Sequence, residues 1–489
     1  MKKYTLEQFQ QMKRPFYSLR APLSFAARES GLKTKQFYRT EFMRDRDRVL
    51  YSKSFRRLAG KTQVYLSGVD DHRRTRLTHT LEVSQIARSI AGPLKLDTDL
   101  VEAIALGHDL GHTPFGHVGE RTLHEIMTPK QGHILGADCP LDIKEGEQLS
   151  KELRPYLGFK HNLQSLKNAM VLEKNYGDYG LDLTNFTLWG IQAHSKAQYS
   201  KGRVPNYDQL FYYDTFLKKG CYLDKEIPAW SLESFVVAEA DEIAQRHHDV
   251  EDAIRGGLIS KEEIIKIIKT NFRDYLSASD NKNLKTSVMS DTETFIAIIS
   301  RIIVNMFVTN LLRASVININ EFIYNEKLTQ TKFTEYVSKH KPDDPKIKNL
   351  ISYETSIKKS DFKAKAKIFQ DTITSRVLSS YDIQSADAKG KYIIRKIFQA
   401  YYHTPQQLPN HCVYEFLIAY KPEEYSQKKL IQMANDEGVG KVRDIFSSII
   451  DQLRPDQKEE RLILMRVICD YIAGMTDAYA KKAYEDLYG

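Results

Sequence analysis

TRLTHTLEVSQIARSIAGPLKLDTDLVEAIALGHDLGHTPFGHVGERTLH, residues 75–124, reads as three helices in succession. Leu77, Leu81, Ile86 and Ile90 recur at mostly helical intervals between Leu77 and Ala91, and Gly92-Pro93 ends the run. Asp97 suits the N-cap of a second helix reaching His108, with Gly107 and Gly111 loosening its end. Pro114 suits the first turn of a third helix, on which His117, Glu120 and His124 share a face. Twenty-nine positions separate His79 from His108. That is room for a helix, a turn and an antiparallel helix, so the two imidazoles can reach one point near Gly111.

Outward from this stretch the helical pattern continues. Leu232 to Ile254 reads as one long amphipathic helix, Phe295 to Leu312 as a richly apolar one, and Gln457 to Gly489 as helix again, with Val467, Tyr471, Ile472, Met475 and Tyr479 near helical spacing. There is no internal repeat or Gly/Ser linker, and 15 Pro and 24 Gly are few enough to leave long helices uninterrupted. The expected fold is all-α, with at most a small β-hairpin near the β-branched run Thr62 to Leu66. An N-terminal arm (1–36), a catalytic core (37–320) and a C-terminal helical region packing on the core (321–489) are the expected divisions. The stretch Lys339 to Lys367, with two prolines and few apolar residues, reads as a surface excursion.

With 489 residues the chain can bury a large core, and 28 Tyr and 22 Phe argue against extensive disorder. No uninterrupted apolar stretch is expected to span a bilayer, and the start MKKYTLEQFQQMKRPFY lacks an apolar signal core, so a cytoplasmic protein without a membrane partner is expected. Cys139, Cys221, Cys412 and Cys469 form no CxxC pair, which fits reduced packing thiols. The net charge of +9 favours polyanionic ligands such as nucleotides or nucleic acid, although solvated lysines account for it equally well. For Arg44, Arg46 and Arg48 a solvated helix face is the favoured reading.

The chemistry-bearing set is RLTHT at His79, GHDLGH at His108 and Asp109, and ADEIAQ at Asp241. Each alone reads first as a satisfied core or surface residue. Together, two imidazoles and two carboxylates suit one divalent cation of the Mn, Fe, Co or Zn kind, with Mg less comfortable beside nitrogen ligands. Glu242 is the rival of Asp241. On an ideal helix Asp241, Gln245 and Asp249 line one face, and Glu242 is turned away from it.

RDRDRVLYSKSFRRLAGKTQV (44–64), RTRLTHTLEV (74–83), GHDLGHTPFGHVGE (107–120), HNLQSL (161–166), ADEIAQRHHDVED (240–252) and DYIAGMTDAYA (470–480) resemble, in order, blocks of the bacterial deoxyguanosine triphosphate triphosphohydrolases of the HD superfamily. Residues 320–455 are weakly matched. The resemblance implies an HD-type helical core and metal-dependent hydrolysis of dGTP, or of other dNTPs, at the α-phosphate to deoxynucleoside and triphosphate.

By the same resemblance His79, His108, Asp109 and Asp241 are the ligands of one divalent cation per subunit, Mn2+ before Mg2+, Co2+, Fe2+ or Zn2+. His117 and Glu120 are the catalytic pair. Arg57, Leu58, Gln63, Arg76, His112, His161, Asn162, Gln245, Asp249 and Arg301 are the expected substrate contacts. Relatives often carry Tyr where this chain has Gln245, and a glutamine stacks less well on a sugar. A homo-oligomer, often a hexamer, and activation by nucleotides or single-stranded DNA are further implications.

Overall fold

The computed structural model describes residues 8, 11–32, 36–63, 74–128, 157–194, 222–224, 227–329, 344–355, 360–454 and 456–489. The fold is all-α. Its framework helices, numbered in chain order, are α1 (Glu41–Leu50), α2 (Arg76–Ala91), α3 (Thr98–Gly107), α4 (Gly116–Ile126), α5 (His161–Lys167), α6 (Asn185–Ala193), α7 (Leu232–Arg255), α8 (Thr292–Asn325), α9 (Phe362–Leu378), α10 (Tyr381–His403), α11 (Lys458–Ala473) and α12 (Asp477–Tyr488). Further helices, among them Lys261–Phe272, Asn410–Tyr420 and Val439–Asp451, fill in around them. The one sheet among the described residues pairs Tyr222–Asp224 with Ile227–Pro228. The hairpin expected at Thr62 to Leu66 is reduced to a single bridge from Thr62 to Thr75, and Val64 to Leu66 lie outside the described residues.

Local sequence explains where the helices around the site begin. The Asp97 carboxylate accepts from the backbone N–H groups of Asp99 and Leu100, both at 3.0 Å, a cap that contributes about 1 kcal/mol. The third helix starts two residues later than Pro114 suggests. Phe115, at its N-cap, is left-handed with φ 61°, and so the proline stays outside the first turn. On α2 the buried line runs through His79, Val83, Ile86, Ala87 and Ile90, while Leu81 faces solvent.

Two apolar cores hold these helices. In the first, α2 packs on α3 and α7, α1 on α3, and α7 on α8 and α9; its residues run from Leu19 to Ile383. The second joins Phe115, Leu123, Ile126 and Phe159 to α10, α11, α12 and the helices between. The expected division after residue 320 falls inside α8, and the passage from one core to the other lies within α10, between Ile383 and Ile393. Within the expected surface excursion, Ile347, Leu350, Ile351, Tyr353 and Phe362 are buried in the first core. The polar composition of KHKPDDPKIKN had concealed these anchors.

One helix, α8, is by length and composition alone apolar enough to cross a membrane, although Arg301 and Arg313 interrupt its apolar run. In the structure its Phe295, Ile299, Ile303 and Phe307 are buried in the first core. Nor is Arg48 a solvated residue. It is buried, ion-pairs with Asp182 at 2.8 Å and donates to the Leu181 carbonyl, while Arg46 reaches Asp47 at 3.0 Å. Cys412 and Cys469 are buried free thiols, and Cys139 and Cys221 lie outside the described residues.

Glu233, in the first turn of α7, ties two segments to the core: its Oε1 accepts from the N–H of Ala21 (3.1 Å) and of Asp97 (2.9 Å). Burial pushes its pKa up to about 7 from the usual 4.5. The folded protein therefore holds a proton that the unfolded chain releases above pH 4.5, and the stability this contributes is lost as pH rises through 7. Glu233→Gln keeps an acceptor for both N–H groups and removes the titration. Urea denaturation between about pH 5 and pH 8 should show wild type losing ~3 kcal/mol more stability than the variant. Parallel pH profiles would refute this.

Candidate metal centre and phosphate pocket

His79 lies on α2, His108 at the C-cap of α3, Asp109 one residue on and Asp241 in the middle of α7. Because α2 packs on both α3 and α7, these four side chains converge. His79 Nε2 is 3.1 Å from Asp241 Oδ1, His108 Nε2 is 3.3 Å from Asp109 Oδ1 and 4.0 Å from Asp241 Oδ1. Ligand atoms sharing an ion at about 2.1 Å stand roughly 3–3.5 Å apart, so the first two spacings fit edges of one coordination polyhedron.

His108 gives the sharper test of fit. Its Nδ1–H donates to the Ala105 carbonyl at 2.6 Å, which fixes the tautomer, and the buried Nε2 is left with no hydrogen-bond partner among the described residues. An orphaned lone pair aimed at two carboxylates is what a cation site requires. Burial alone would raise the carboxyl pKa values, but His108, His112, Arg76 and His79 hold Asp109 well below the usual range. In the same way His79, His108 and His194 overcome burial at Asp241. Both carboxylates are thus kept ionised. Gln245, one turn along α7, donates to both oxygens of Asp241 at 3.0 Å.

The local chain explains the convergence. Ser165 on α5 donates to the carbonyls of His108 (2.8 Å) and His161 (3.0 Å) and accepts from the Gly111 N–H (2.8 Å). A side chain at Gly111 would lie 2.1 Å from the Ser165 nitrogen, so glycine alone admits this crossing.

A cleft of about 210 Å³ opens over the centre, lined by Gln63, Arg76, His79, Asp109, His112, His117, His161, His194, Ala238, Asp241, Glu242 and Gln245. Arg76 is 1 % exposed, bonds Asp109 Oδ2 through Nη1 at 2.7 Å, and has Nε and Nη2 buried with no partner among the described residues. Two such donors on a cleft wall are suited to an anion's oxygens. The rings of His112 and His161 stack at 4.1 Å. Burial and Arg76 keep His112 neutral, and burial with His108 pushes His194 down to about 3. At His161 burial opposes charge, yet Glu120 beside it raises the pKa above its usual value.

Glu120 is closer to His161 (2.9 Å) and Lys160 (3.1 Å) than to His117 (3.7 Å). The i, i+3 pairing expected from sequence is thus the longer contact, because α5 brings His161 in from the side. His117 is half exposed at the mouth. Glu242 lines the cleft as well, although it is bonded to Arg246 at 2.7 Å.

Five expected substrate residues do not line the cleft. Leu58 is a fully buried core residue, and Arg57 is exposed beside Gly474. Asn162 donates to the Gln192 carbonyl, and Arg301 is on the exposed side of α8. Asp249, one further turn along α7, accepts from Gln370 (2.5 Å) and Thr374 (2.9 Å) of α9. Sequence reasoning missed His194, which no motif marks, and the support behind His79. There the His248 ring packs at 5.2 Å, and Glu82 holds both His247 and His248. The signal for Glu82 was its i+3 spacing from His79.

The HD domain model matches residues 76–152, and the phosphohydrolase-associated domain model matches residues 421–486. The chain is 32% identical over 451 residues to the deoxyguanosinetriphosphate triphosphohydrolase-like protein of Rickettsia bellii, covering 92% of each. Likewise named proteins of Bordetella pertussis and Bartonella henselae are each 30% identical, over 92% and 93% of this chain and 90% and 91% of their own lengths.

Asp241→Asn should weaken Mn2+ binding at least ~100-fold by calorimetry, because an amide supplies no charge to the ion. Arg301→Ala should leave that affinity within about two-fold, as expected of an exposed helix position. Equal affinities for Asp241→Asn and wild type would show that the ion is held elsewhere.

Proposed function

The chain belongs to the deoxyguanosinetriphosphate triphosphohydrolase-like family of HD-domain phosphohydrolases, and on that premise we propose that it hydrolyses dGTP and related deoxynucleoside triphosphates at the α-phosphate. The observation that carries this reading is Arg76. With two nitrogens unpartnered among the described residues, it lines the same cleft as His79, Asp109 and Asp241, so that anion and cation subsites adjoin.

In this proposal His79, His108, Asp109 and Asp241 hold the divalent ion, with Mn2+ favoured by the mixed imidazole and carboxylate set. The ion supplies Lewis-acid charge to the phosphate oxygens and acidifies nearby water. Arg76 binds phosphate oxygens through Nε and Nη2, and His161, held by Glu120, adds a donor in the same cleft. His117, at the mouth, is positioned to manage the proton. Water forms a bond to the α-phosphorus as the bond from phosphorus to the sugar O5′ breaks. One water proton goes to O5′, and the products are deoxynucleoside and triphosphate. Gln63 and Gln245 offer amides to the sugar and base, and an amide at 245 makes discrimination against a 2′-hydroxyl depend on hydrogen bonding, not stacking. Assembly into a homo-oligomer with nucleotide activation belongs to the same reading.

The test is a matrix of divalent cations against the four dNTPs and GTP, with products resolved by ion-exchange chromatography. Deoxyguanosine and triphosphate in equal amounts from dGTP with Mn2+ are expected. Release of dGMP and pyrophosphate would overturn the proposal.

A further inference from the structure

The last helix of the chain reaches the pocket from behind. Asp477, at the first turn of α12, is 6 % exposed, and both of its oxygens are engaged by distant segments. Oδ1 accepts from the Phe115 N–H at 2.9 Å. Oδ2 accepts from the Thr62 N–H at 3.1 Å and from Thr62 Oγ1 at 2.5 Å. Thr62 is the neighbour of Gln63, on one wall of the cleft, and Phe115 is two residues before His117, on another. A single carboxylate thus bridges two walls that are otherwise some fifty residues apart along the chain.

Those walls need holding. Phe115 and Gly116 are consecutive left-handed residues, with φ 61° and 63°, and the conformation is costly for a phenylalanine. A side chain at Gly116 would stand 3.2 Å from the Gln63 carbonyl, so the walls touch through backbone. Lys61, fully buried, reinforces the joint: its ammonium donates to the His112 carbonyl and to the Ala473 carbonyl (2.8 Å) at the end of α11. Gly60 lies against Thr476 in the same seam.

We infer that Asp477 is a positioning residue, which fixes Gln63 and the His117 turn relative to each other and so sets the shape of the cleft. The inference rests on the proposed hydrolytic site, but it concerns a residue that neither meets the expected ion nor lines the cleft. None of the four candidate metal ligands touches it. Its loss should therefore lower turnover while leaving ion binding in place.

Asp477→Asn leaves an acceptor for one N–H and removes the charge-assisted bonds to the other partner. In the full-length variant kcat on whichever triphosphate wild type cleaves should fall ~10- to 100-fold, the usual effect of misplacing a reacting group by about 1 Å. Mn2+ affinity should stay within about two-fold, since the coordinating helices are untouched. Hydrogen–deuterium exchange should quicken in peptides covering 112–118 and 61–63. Thr62→Val, which removes only the side-chain bond and leaves Asp477 in place, should move kcat and exchange in the same direction by less. Unchanged kcat, unchanged exchange in both peptides, or a fall in Mn2+ affinity parallel to kcat would each overturn the inference. Should wild type cleave no nucleoside triphosphate, the substrate reading fails separately, and the exchange measurement still decides the role of Asp477.

Discussion

Two carboxylates, Asp109 and Asp241, are kept ionised at the floor of one cleft despite the cost of burial, and the rest of the molecule is organised around that requirement. A bare carboxylate would take up a proton on burial. Here the Arg76 guanidinium, bonded to Asp109, and the His79 and His108 imidazoles beside the pair oppose that uptake. This demands that α2, α3 and α7 pack on one another and that α5 reach the end of α3. The small residue at Gly111, the serine at 165 and the cap at Asp97 are the local means by which the backbone meets that demand.

A pocket that combines such a centre with Arg76 carries both signs of charge. Carboxylates, imidazoles and a buried guanidinium with spare donors line the same cleft, and His117 is its most exposed imidazole. The mixture suits a polyanion bound together with a cation, because donors for its oxygens share the walls with the carboxylates. The imidazoles are not equivalent. His112 and His194 are pushed toward the neutral form and His161 toward the charged one, so a single pocket offers both a proton acceptor and a proton donor.

Much of this was legible in the amino-acid order because helical periodicity is local. His79, His108 and Asp241 lie on faces that the apolar repeat identifies, and the Asp97 cap follows from residue type alone. What was not legible depends on contacts between distant segments. Asp249 looked like a cleft residue until α9 supplied Gln370 and Thr374 to it. The direction of Arg301 could not be read because α8 is apolar on most of its circumference, which blurs its faces. Glu120 pairs more closely with His161 than with His117, since a neighbour 41 positions away arrives at a shorter distance than one on the same helix. The left-handed Phe115 leaves no mark in a sequence that reads Pro-Phe-Gly.

The second apolar core has an architectural consequence. Phe115, Leu123, Ile126 and Phe159 belong to the first third of the chain, yet their apolar faces are covered by α10, α11 and α12 from its end. A gene cut after the stretch bearing the candidate metal ligands would encode a polypeptide whose greasy flank lies open to solvent and to other copies. Evolution can therefore lengthen or decorate the connections between, but it cannot discard the carboxy-terminal helices without inviting aggregation.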